Sequence, residues 1–394
     1  MNASRPSHRQ GLNRKQVLGL AALGAGALAL GGPGTGRARA ATGTATAPGA
    51  TRAAEPRVEG EIAWWDVAGW GVEGKGWSDT ARSYDRLPAR AEQTVRPVIW
   101  ELSRTSAGML ARFATDSASV HARYTLRSPR LALPHMPATG VSGLDLYAQD
   151  ASGRDRWAGV TKPASGSVTE RLVSGADPGM RRYTAYLPLY NGVESLEIGV
   201  DAGAAFRPVA PRRQRPVLCY GSSIVQGACA SRPGMAFPAV LGRRLGRPVV
   251  NLGFSGNAFM EPEVGALLAE LDPAVFVIDC LPNMTADLVA ARAEPLIRRL
   301  REARPGTPIV MAEDRTYAHA WLVGALRERH EGSRAAFREA YERLRGAGVP
   351  GLTYLEGAGL LGDDDEATTD GSHPSDLGML RYADAYTEVL RRLL

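Results

Sequence analysis

The feature that most restricts the possible folds of this chain is a repeated alternation in its second half. Apolar runs of strand length alternate there with segments of helical period, and the runs cover residues 217–220, 249–252, 275–279, 309–312 and 352–355. The helical segments include 285–303, 333–345 and 376–394. A strand followed by a helix, repeated several times, is typical of a parallel sheet with helices on both faces. We therefore predict that residues 211–394 form a three-layer α/β domain with about five parallel strands.

The first half of the chain has a different pattern. Between residues 58 and 210, short runs of alternating polar and apolar residues, such as 95–100, 119–124 and 196–200, are separated by Gly, Pro, Asp and Ser. The separators recur about every ten residues, which is typical of an all-β sandwich or jelly roll. We predict such a domain for residues 58–210, joined to the α/β domain by a stretch rich in Pro and Arg.

The charge of the chain is unevenly distributed. The formal net charge is +6, and residues 1–40 hold six basic residues and no acidic one, which leaves 41 residues of each sign in the rest of the 394-residue chain. A protein that binds nucleic acid or an anionic membrane needs a basic excess in its folded part. The composition therefore argues against both classes of partner.

The first forty residues have the layout of an export signal. Arg14 and Lys15 precede an apolar Leu/Ala/Gly run over residues 18–30, which is too short to span a membrane, and Ala38-Arg39-Ala40 follows it. Arg14-Lys15 resembles a twin-arginine signal with Lys in the second Arg position, and ordinary Sec export stays open. We predict that residues 1–40 are a leader and 41–57 a flexible linker. The mature protein would then be secreted, with no stable membrane association.

Four segments follow predicted strands or precede the last helix, at the positions where sites form in parallel α/β folds. They are Tyr220 to Gly227, Asn251 to Asn257, Asp279 to Met284, and Asp370 to Pro374. Taken singly, each has an ordinary explanation as a turn, a loop or a helix start. Their order along the chain makes the combination far more specific than any one member.

The combination supplies what acyl transfer to a serine requires. Such a reaction needs a nucleophile, a base to remove its proton, a carboxylate to orient the base, and donors for the developing oxyanion. Ser223, His373 and Asp370 offer the first three groups, and the Asp-x-x-His spacing allows one loop to hold both the carboxylate and the imidazole. Gly256 and Asn283 lie at the next two strand ends.

These four blocks resemble the signature of the SGNH (GDSL-like) hydrolases. The resemblance implies a flavodoxin-like catalytic domain, with Ser223 as nucleophile, His373 as base and Asp370 as its orienting carboxylate. It also implies an oxyanion hole made by the backbone N–H groups of Ser223 and Gly256 and the side-chain amide of Asn283. The Asp that the family carries before its nucleophile is Ser222 here. That Asp is not a triad member, so the difference places the chain in a subgroup without affecting the chemistry.

A second motif narrows the subgroup. Residues 143–147 read Gly-Leu-Asp-Leu-Tyr, which matches the Gly-x-Asp-Leu-Tyr motif in the N-terminal β domain of one branch of GDSL-like hydrolases. The resemblance then extends over about residues 60–394. Several members of that branch look like carbohydrate esterases that remove acetyl groups from polysaccharides. Within the motif we interpret Asp145 as structural.

The remaining chemistry-bearing residues allow alternatives. Cys229 and Cys280 flank the predicted site, and the sequence permits either a disulfide or two buried thiols. Four tryptophans, Trp64, Trp65, Trp70 and Trp77, could fill the β-domain core or present faces for stacking sugars. Since no cluster of His, Cys and Asp has metal-ligand spacing, we predict no metal and no other cofactor.

The function predicted from these observations is that of a secreted serine esterase with an acyl-enzyme intermediate. Its substrate would be an acyl ester, above all an acetyl ester, on a polysaccharide or a small molecule. A lipase or short-chain acyl esterase using the same triad is the first alternative. A non-catalytic carbohydrate-binding protein with a vestigial triad is the second.

Overall fold

Two antiparallel sheets occupy the first half of the computed structural model, which describes residues 55–394. Their strands are β1 (Arg57–Glu59), β2 (Ile62–Asp66), β3 (Leu110–Thr115), β4 (Val120–Leu126), β5 (Asp145–Gln149), β6 (Asp155–Val160), β7 (Ser167–Val173), β8 (Arg181–Tyr186), β9 (Val193–Asp201) and β10 (Phe206–Val209). One sheet has the order β1-β2-β9-β4-β7 and the other β10-β3-β8-β5-β6. The predicted export signal and nearly all of the predicted linker lie outside the described residues.

The two antiparallel sheets share one hydrophobic core. In β4 every second residue is buried, beginning with Val120, as expected for a strand with one face against a core. Those residues pack in one cluster with side chains from β3, β5 and β8 of the other sheet. Within that core the rings of Phe113 and Tyr183 stack, with centroids 5.2 Å apart.

The expected strand at residues 95–100 is wrong, because this segment begins helix α1 (Pro97–Ser103). Pro97 occupies the first turn, where the missing N–H costs nothing and the fixed φ favours a helix. Ile99, Trp100 and Ser103 are buried on one face at helical spacing. The alternation that suggested a strand was too short to distinguish the two periods. A one-turn helix, α2 (Ala138–Val141), also lies in this half.

The second half contains a five-stranded parallel sheet, as predicted. Its strands are β11 (Val217–Gly221), β12 (Val249–Gly253), β13 (Val275–Asp279), β14 (Ile309–Ala312) and β15 (Leu352–Leu355), in the order β12-β11-β13-β14-β15. The helices between and after them are α3 (Ser223–Gln226), α4 (Phe237–Arg244), α5 (Pro262–Glu270), α6 (Ala286–Ala303), α7 (Gly324–Gly346) and α8 (Asp376–Arg391). One core cluster joins the sheet to α5, α6 and α7, and a second joins it to α4 and α8. The sheet is therefore covered on both faces.

The chain runs from β11 to β12 in one direction along the sheet and then back past β11 to β13, so the strand order reverses at β11. Helix α4, between β11 and β12, therefore lies on the opposite face of the sheet from α5, α6 and α7. In an open parallel sheet, a crevice forms beyond the carboxyl ends of the strands at such a point. Ser223 follows β11 directly, so it lies at this crevice. Among residues 55–394, no helix is both long and apolar enough to cross a membrane.

The Gly-x-Asp-Leu-Tyr motif joins the antiparallel sheets to the α/β part. The Asp145 side chain is fully buried and accepts hydrogen bonds from Arg232 Nη1 and from the Gly234 N–H, each at 2.8 Å. The Tyr147 hydroxyl accepts a further bond from Arg232 Nη1 at 2.6 Å. Arg232 and Gly234 belong to the segment that follows α3, the helix that begins at Ser223. The motif therefore holds this segment in place through hydrogen bonds.

A second buried carboxyl group lies at the end of β13. Asp279 Oδ2 accepts a hydrogen bond from the Tyr386 hydroxyl at 2.6 Å, while Asp279 Oδ1 has no partner among the described residues. Burial raises the pKa of Asp279 to about 7, although the Tyr386 bond opposes the change. Below about pH 7, the folded protein therefore keeps the Asp279 carboxyl mostly protonated and neutral.

This raised pKa predicts a specific pH dependence of stability. Between about pH 4 and pH 7 the folded state binds more protons at Asp279 than the unfolded state, so this group's contribution to stability falls as pH rises. In Asp279→Asn the side chain does not titrate, so this pH-dependent contribution to stability is absent. The free energy of unfolding of the variant relative to wild type should therefore increase by about 1 kcal/mol per pH unit over this range and level off above it.

Urea denaturation of both proteins at several pH values measures this difference. If the free energy of unfolding changes equally with pH in the two proteins, Asp279 is already ionised in the folded protein over this pH range.

Candidate active site

Three predicted residues lie in one hydrogen-bonded chain beyond the carboxyl end of β11. The Oγ of Ser223 is 2.9 Å from Nε2 of His373, and Nδ1 of His373 is 2.7 Å from Oδ2 of Asp370. Ser223 begins α3, whereas Asp370 and His373 belong to the loop before α8. The structure thus brings together residues that are 150 positions apart in sequence.

The turn that presents Ser223 depends on close backbone packing. A Cβ on Gly221 would lie 2.3 Å from the carbonyl oxygen of Asp279, so only glycine allows β11 and β13 to approach this closely here. Ser222 caps the short helix, because its Oγ accepts from the N–H of Ile224 at 3.3 Å. Ser222 therefore has a local structural role in the position where the family carries Asp.

The Asp370 carboxylate is held by its own loop. Its Oδ1 accepts from the N–H groups of Ser372 and His373 at 3.0 and 2.8 Å. Burial acts to raise the pKa of Asp370, but the bonds from the backbone and side chain of His373 outweigh it, so the pKa lies below the ordinary value. The carboxylate stays ionised and keeps the His373 ring in one orientation.

The opposite side of the crevice carries the predicted oxyanion donors. Gly256 has a φ of 68°, a left-handed conformation that favours glycine. Within residues 55–394, the N–H groups of Ser223 and Gly256 have no acceptor. Two free N–H groups at neighbouring strand ends are suitable donors for a developing negative charge.

The Asn283 side chain joins this region from the end of β13. Its amide oxygen accepts from the N–H groups of Asn257 and Ala258 at 3.1 Å each, in the orientation that satisfies both donors. In that orientation the amide NH₂ lies on the opposite side of the carboxamide from those two N–H groups. Asn283 thereby also holds the loop that carries Gly256.

Two side chains that the sequence analysis did not identify support the same loop. Arg86 is buried and donates to the carbonyl oxygen of Gly253 at 2.7 Å, and burial lowers its pKa to about 9. Gln226 Oε1 accepts from the N–H of Ser255 at 3.0 Å, while its Nε2 donates to the carbonyl oxygen of Leu189 at 3.1 Å. No sequence pattern marks an arginine whose partners are distant backbone carbonyls.

The half of the chain that holds the antiparallel sheets also contributes a side chain beside His373. The ring of His135 stacks on the ring of His373, with centroids 5.6 Å apart and planes 28° from parallel. His135 lies in the loop between β4 and α2, a segment for which the sequence suggested no residue role.

The cysteines are free thiols. Cys219, Cys229 and Cys280 are all buried and unpaired, so the alternative of a disulfide between Cys229 and Cys280 is not realised. Burial raises the pKa of the Cys229 thiol to about 11. Its backbone has a φ of 69°, which is uncommon for a residue other than glycine.

The four N-terminal tryptophans belong to the folded interior rather than to the site. Trp64, Trp70 and Trp77 are buried, and Trp65 stacks on Phe206 with ring centroids 4.6 Å apart. This favours the core interpretation of the group over sugar stacking.

A different tryptophan is exposed next to the triad loop. Trp321 is 73% exposed and its neighbour Leu322 is 68% exposed. Their segment is attached to the triad loop, because the N–H of Ala318 donates to the carbonyl oxygen of Gly371 at 3.0 Å. Sequence reasoning missed Trp321 because exposure of a single loop residue leaves no periodic signal.

Comparisons with known families agree with this geometry. The GDSL-like lipase/acylhydrolase family model matches residues 214–391, and the GxDLY model, the N-terminus of SGNH-hydrolase-type esterases, matches residues 62–206. No match is found among proteins of curated function.

Several solved structures are similar along most of the chain. A GDSL-like lipase from Bacteroides ovatus ATCC 8483 is 33% identical, with a TM-score of 0.81, and the match covers 84% of this chain and 98% of that one. The salicylyl-acyltransferase SsfX3 from a tetracycline biosynthetic pathway is 18% identical, with a TM-score of 0.63, covering 86% and 96%. A family two carbohydrate esterase from Cellvibrio japonicus is 12% identical, with a TM-score of 0.55, covering 84% and 98%. The last two show similarity of fold.

The two family models cover both halves of the described chain, and the Bacteroides protein is matched over nearly its whole length. The chain therefore belongs to the GDSL-like lipase/acylhydrolase family, with the GxDLY N-terminus of SGNH-type esterases, and it is a carboxylic ester hydrolase.

Proposed function

We propose that this protein is a serine esterase that removes short acyl groups, above all acetyl, from a polysaccharide. The observation that carries the proposal is the continuous chain from Ser223 Oγ through both nitrogens of His373 to the Asp370 carboxylate. In this arrangement Ser223 is the nucleophile, His373 the general base and Asp370 the group that orients it.

The first half of the reaction forms an acyl-enzyme. Ser223 Oγ attacks the ester carbonyl carbon while its proton passes to His373 Nε2. The N–H groups of Ser223 and Gly256 and the amide NH₂ of Asn283 stabilise the negative charge on the carbonyl oxygen. The intermediate then expels the alcohol, which takes the proton from His373.

The second half releases the acid. Water attacks the acyl carbon and gives a proton to His373, and the bond to Ser223 Oγ breaks as that oxygen recovers the proton. Asp370 stays ionised throughout and stabilises the charged imidazole in both halves. No cofactor is required by these steps.

The segment after α3 favours a small acyl group. Ala228, Cys229 and Ala230 are buried, and the next residue, Ser231, is held by Asp376 through its N–H at 2.9 Å and its hydroxyl at 2.5 Å. A lipase with the same triad would need a broad apolar surface near the serine. This tightly packed segment offers none.

Trp321 supports a glycan as the alcohol part of the substrate. An exposed indole provides a flat apolar face with a polar edge, which suits stacking against a sugar ring. Its segment adjoins the loop that carries His373. Carbohydrate esterases that share this fold make acetylated glycans the first substrates to test.

Four assignments along the chain complete the proposal. We propose that residues 58–210 form a β-sandwich or jelly-roll domain and 211–394 the catalytic domain; the two antiparallel sheets and the parallel sheet support this division. We also propose that residues 1–40 direct export and that 41–57 are a linker, which rests on the sequence pattern. The enzyme would then act outside the cell on a polymer.

Replacing Ser223 tests the mechanism. Ser223→Ala should lower turnover of nitrophenyl acetate at least a thousandfold, because the nucleophile is lost, with circular dichroism and thermal stability unchanged. Ser222→Ala is the matched control, since it removes only a helix-capping hydroxyl on the same turn, and it should retain activity within about tenfold. Full activity in Ser223→Ala would refute the mechanism.

Acyl-chain preference tests the substrate class. The wild-type enzyme should hydrolyse nitrophenyl acetate with a kcat/KM at least about tenfold above that for nitrophenyl decanoate, because the packed segment after α3 leaves little room for a long chain. Acetate release from acetylated xylan, xyloglucan and chitin fragments then identifies the glycan. A preference for the decanoate ester would favour the lipase alternative.

Trp321 should affect polymeric substrates selectively. Trp321→Ala should raise KM for the preferred acetylated glycan about tenfold, the equivalent of one aromatic stacking contact, and leave kcat/KM for nitrophenyl acetate within about twofold. Leu322→Ala, which removes a neighbouring exposed side chain that cannot stack, is the matched control and should leave both values near wild type. Equal effects of the two variants would indicate a general apolar surface rather than a sugar-stacking position.

A further inference from the structure

Three potential metal ligands meet beside the triad, although they are far apart in sequence. They are His135 from the β4–α2 loop, Cys229 from the segment after α3, and His373 from the loop before α8. One ligand atom from each residue lies within 4.8 Å of the others. Because each comes from a different segment, no local spacing in the sequence could indicate the cluster, and the sequence-based prediction of no metal did not consider it.

We propose that His135, Cys229 and His373 form a binding site for a thiophilic divalent cation, and that Zn²⁺ is the cation that fits it best. Binding of the cation reversibly inhibits the esterase. Two imidazole nitrogens and one sulfur are ligands that Zn²⁺ prefers, whereas Mg²⁺ and Ca²⁺ require oxygen. Three protein ligands leave the fourth tetrahedral position for water.

The surroundings of His373 already match those of a metal-binding histidine. Its Nδ1 is bound to Asp370, so a cation would bind Nε2 in place of the Ser223 hydroxyl, whose oxygen lies 2.9 Å from that nitrogen. Metal-binding histidines commonly donate their second N–H to a carboxylate, which fixes the ring and raises its basicity. The same Asp370 contact that orients a general base thus also prepares a ligand.

The other two ligands are held near the required positions. Leu133 and Met136 exchange two backbone hydrogen bonds of 3.0 Å, and this tight turn carries His135. Cys229 keeps a left-handed backbone conformation because the chain on either side is fixed by hydrogen bonds from the N–H of Ala228 to Ser223 O and from the N–H of Ala230 to Gly227 O. A strained conformation of this kind next to a site often serves that site.

To complete the coordination, the His135 ring must turn out of its stacking contact with His373, because a cation binds in the plane of each imidazole ring. Zn–N bonds of about 2.1 Å and Zn–S bonds of about 2.3 Å place tetrahedral ligand atoms roughly 3.5 Å apart. A separation of 4.8 Å must therefore shorten by about 1 Å, which rotation of the partly exposed His135 side chain can supply.

Inhibition follows from the use of His373, and this part rests on the proposed function. A cation bound to Nε2 occupies the atom that must accept the Ser223 proton, so acylation stops. Binding releases the Cys229 thiol proton to solvent and involves no electron transfer. Removing the cation restores the free imidazole and the activity.

Binding and inhibition can be measured separately on tag-free protein. Titration with CoCl₂ should give one equivalent bound, with an intense near-ultraviolet thiolate-to-cobalt band, and ZnCl₂ should displace it. ZnCl₂ should inhibit nitrophenyl acetate hydrolysis, and EDTA should restore the rate fully. Ser223→Ala should still show the cobalt band, because Ser223 is not a ligand, so the site is testable even if the esterase proposal fails.

Ligand variants give the decisive comparison. With each rate expressed relative to the same variant's own metal-free rate, Cys229→Ser and His135→Asn should each raise the Zn²⁺ inhibition constant at least tenfold, and Cys229→Ser should lose the near-ultraviolet band. Cys219→Ala, which removes a buried thiol outside the cluster, should behave like wild type. Unchanged inhibition in both ligand variants, or cobalt binding without the sulfur band, would overturn the proposal.

Discussion

The active-site geometry depends on how closely the ends of three parallel strands pack. In the sheet register Gly221 lies beside both Gly253 and Asp279, so β11, β12 and β13 end at the same level. A Cβ at Gly221 would meet the Asp279 carbonyl at 2.3 Å, and one at Gly253 would meet the Gln226 backbone nitrogen at 2.1 Å. Because neither position tolerates a side chain, the three following loops are forced together. Those loops carry Ser223, Gly256 and Asn283, the residues proposed as nucleophile and oxyanion donors.

Segments from the half of the chain that holds the antiparallel sheets help to build this site. Arg86 donates to the backbone at the end of β12, Tyr190 donates from its hydroxyl to the carbonyl oxygen of Ser223 at 3.4 Å, and His135 stacks on His373. Asp145 anchors the segment after α3 through Arg232. The Asp145 carboxylate thus contacts the half of the chain that holds the parallel sheet, through Arg232 and Gly234, as well as Trp157 in its own sheet.

Arginine makes many of these long-range contacts possible. All but three of the 47 basic residues are arginine. The guanidinium group offers five donors in a planar arrangement and can satisfy several carbonyl oxygens at once. Arg86 binds carbonyl oxygens from two separate segments, and Arg315 joins Asp314 to Ser372 in the triad loop. These two buried guanidinium groups thus hold backbone and side-chain oxygens of the folded chain together.

The sequence by itself determined the parallel sheet, the order of the four blocks and the identity of the residues that meet at Ser223, because strand–helix periodicity and motif spacing are local properties. It misassigned residues 95–100, where a proline-initiated helix resembles an alternating strand over six positions. It could not choose between thiols and a disulfide, nor between core and surface for the tryptophans. Those outcomes, together with Arg86, Trp321 and the cluster of His135, Cys229 and His373, were decided by the tertiary structure alone. Each depends on which distant segments pack against one another, and no local pattern records that.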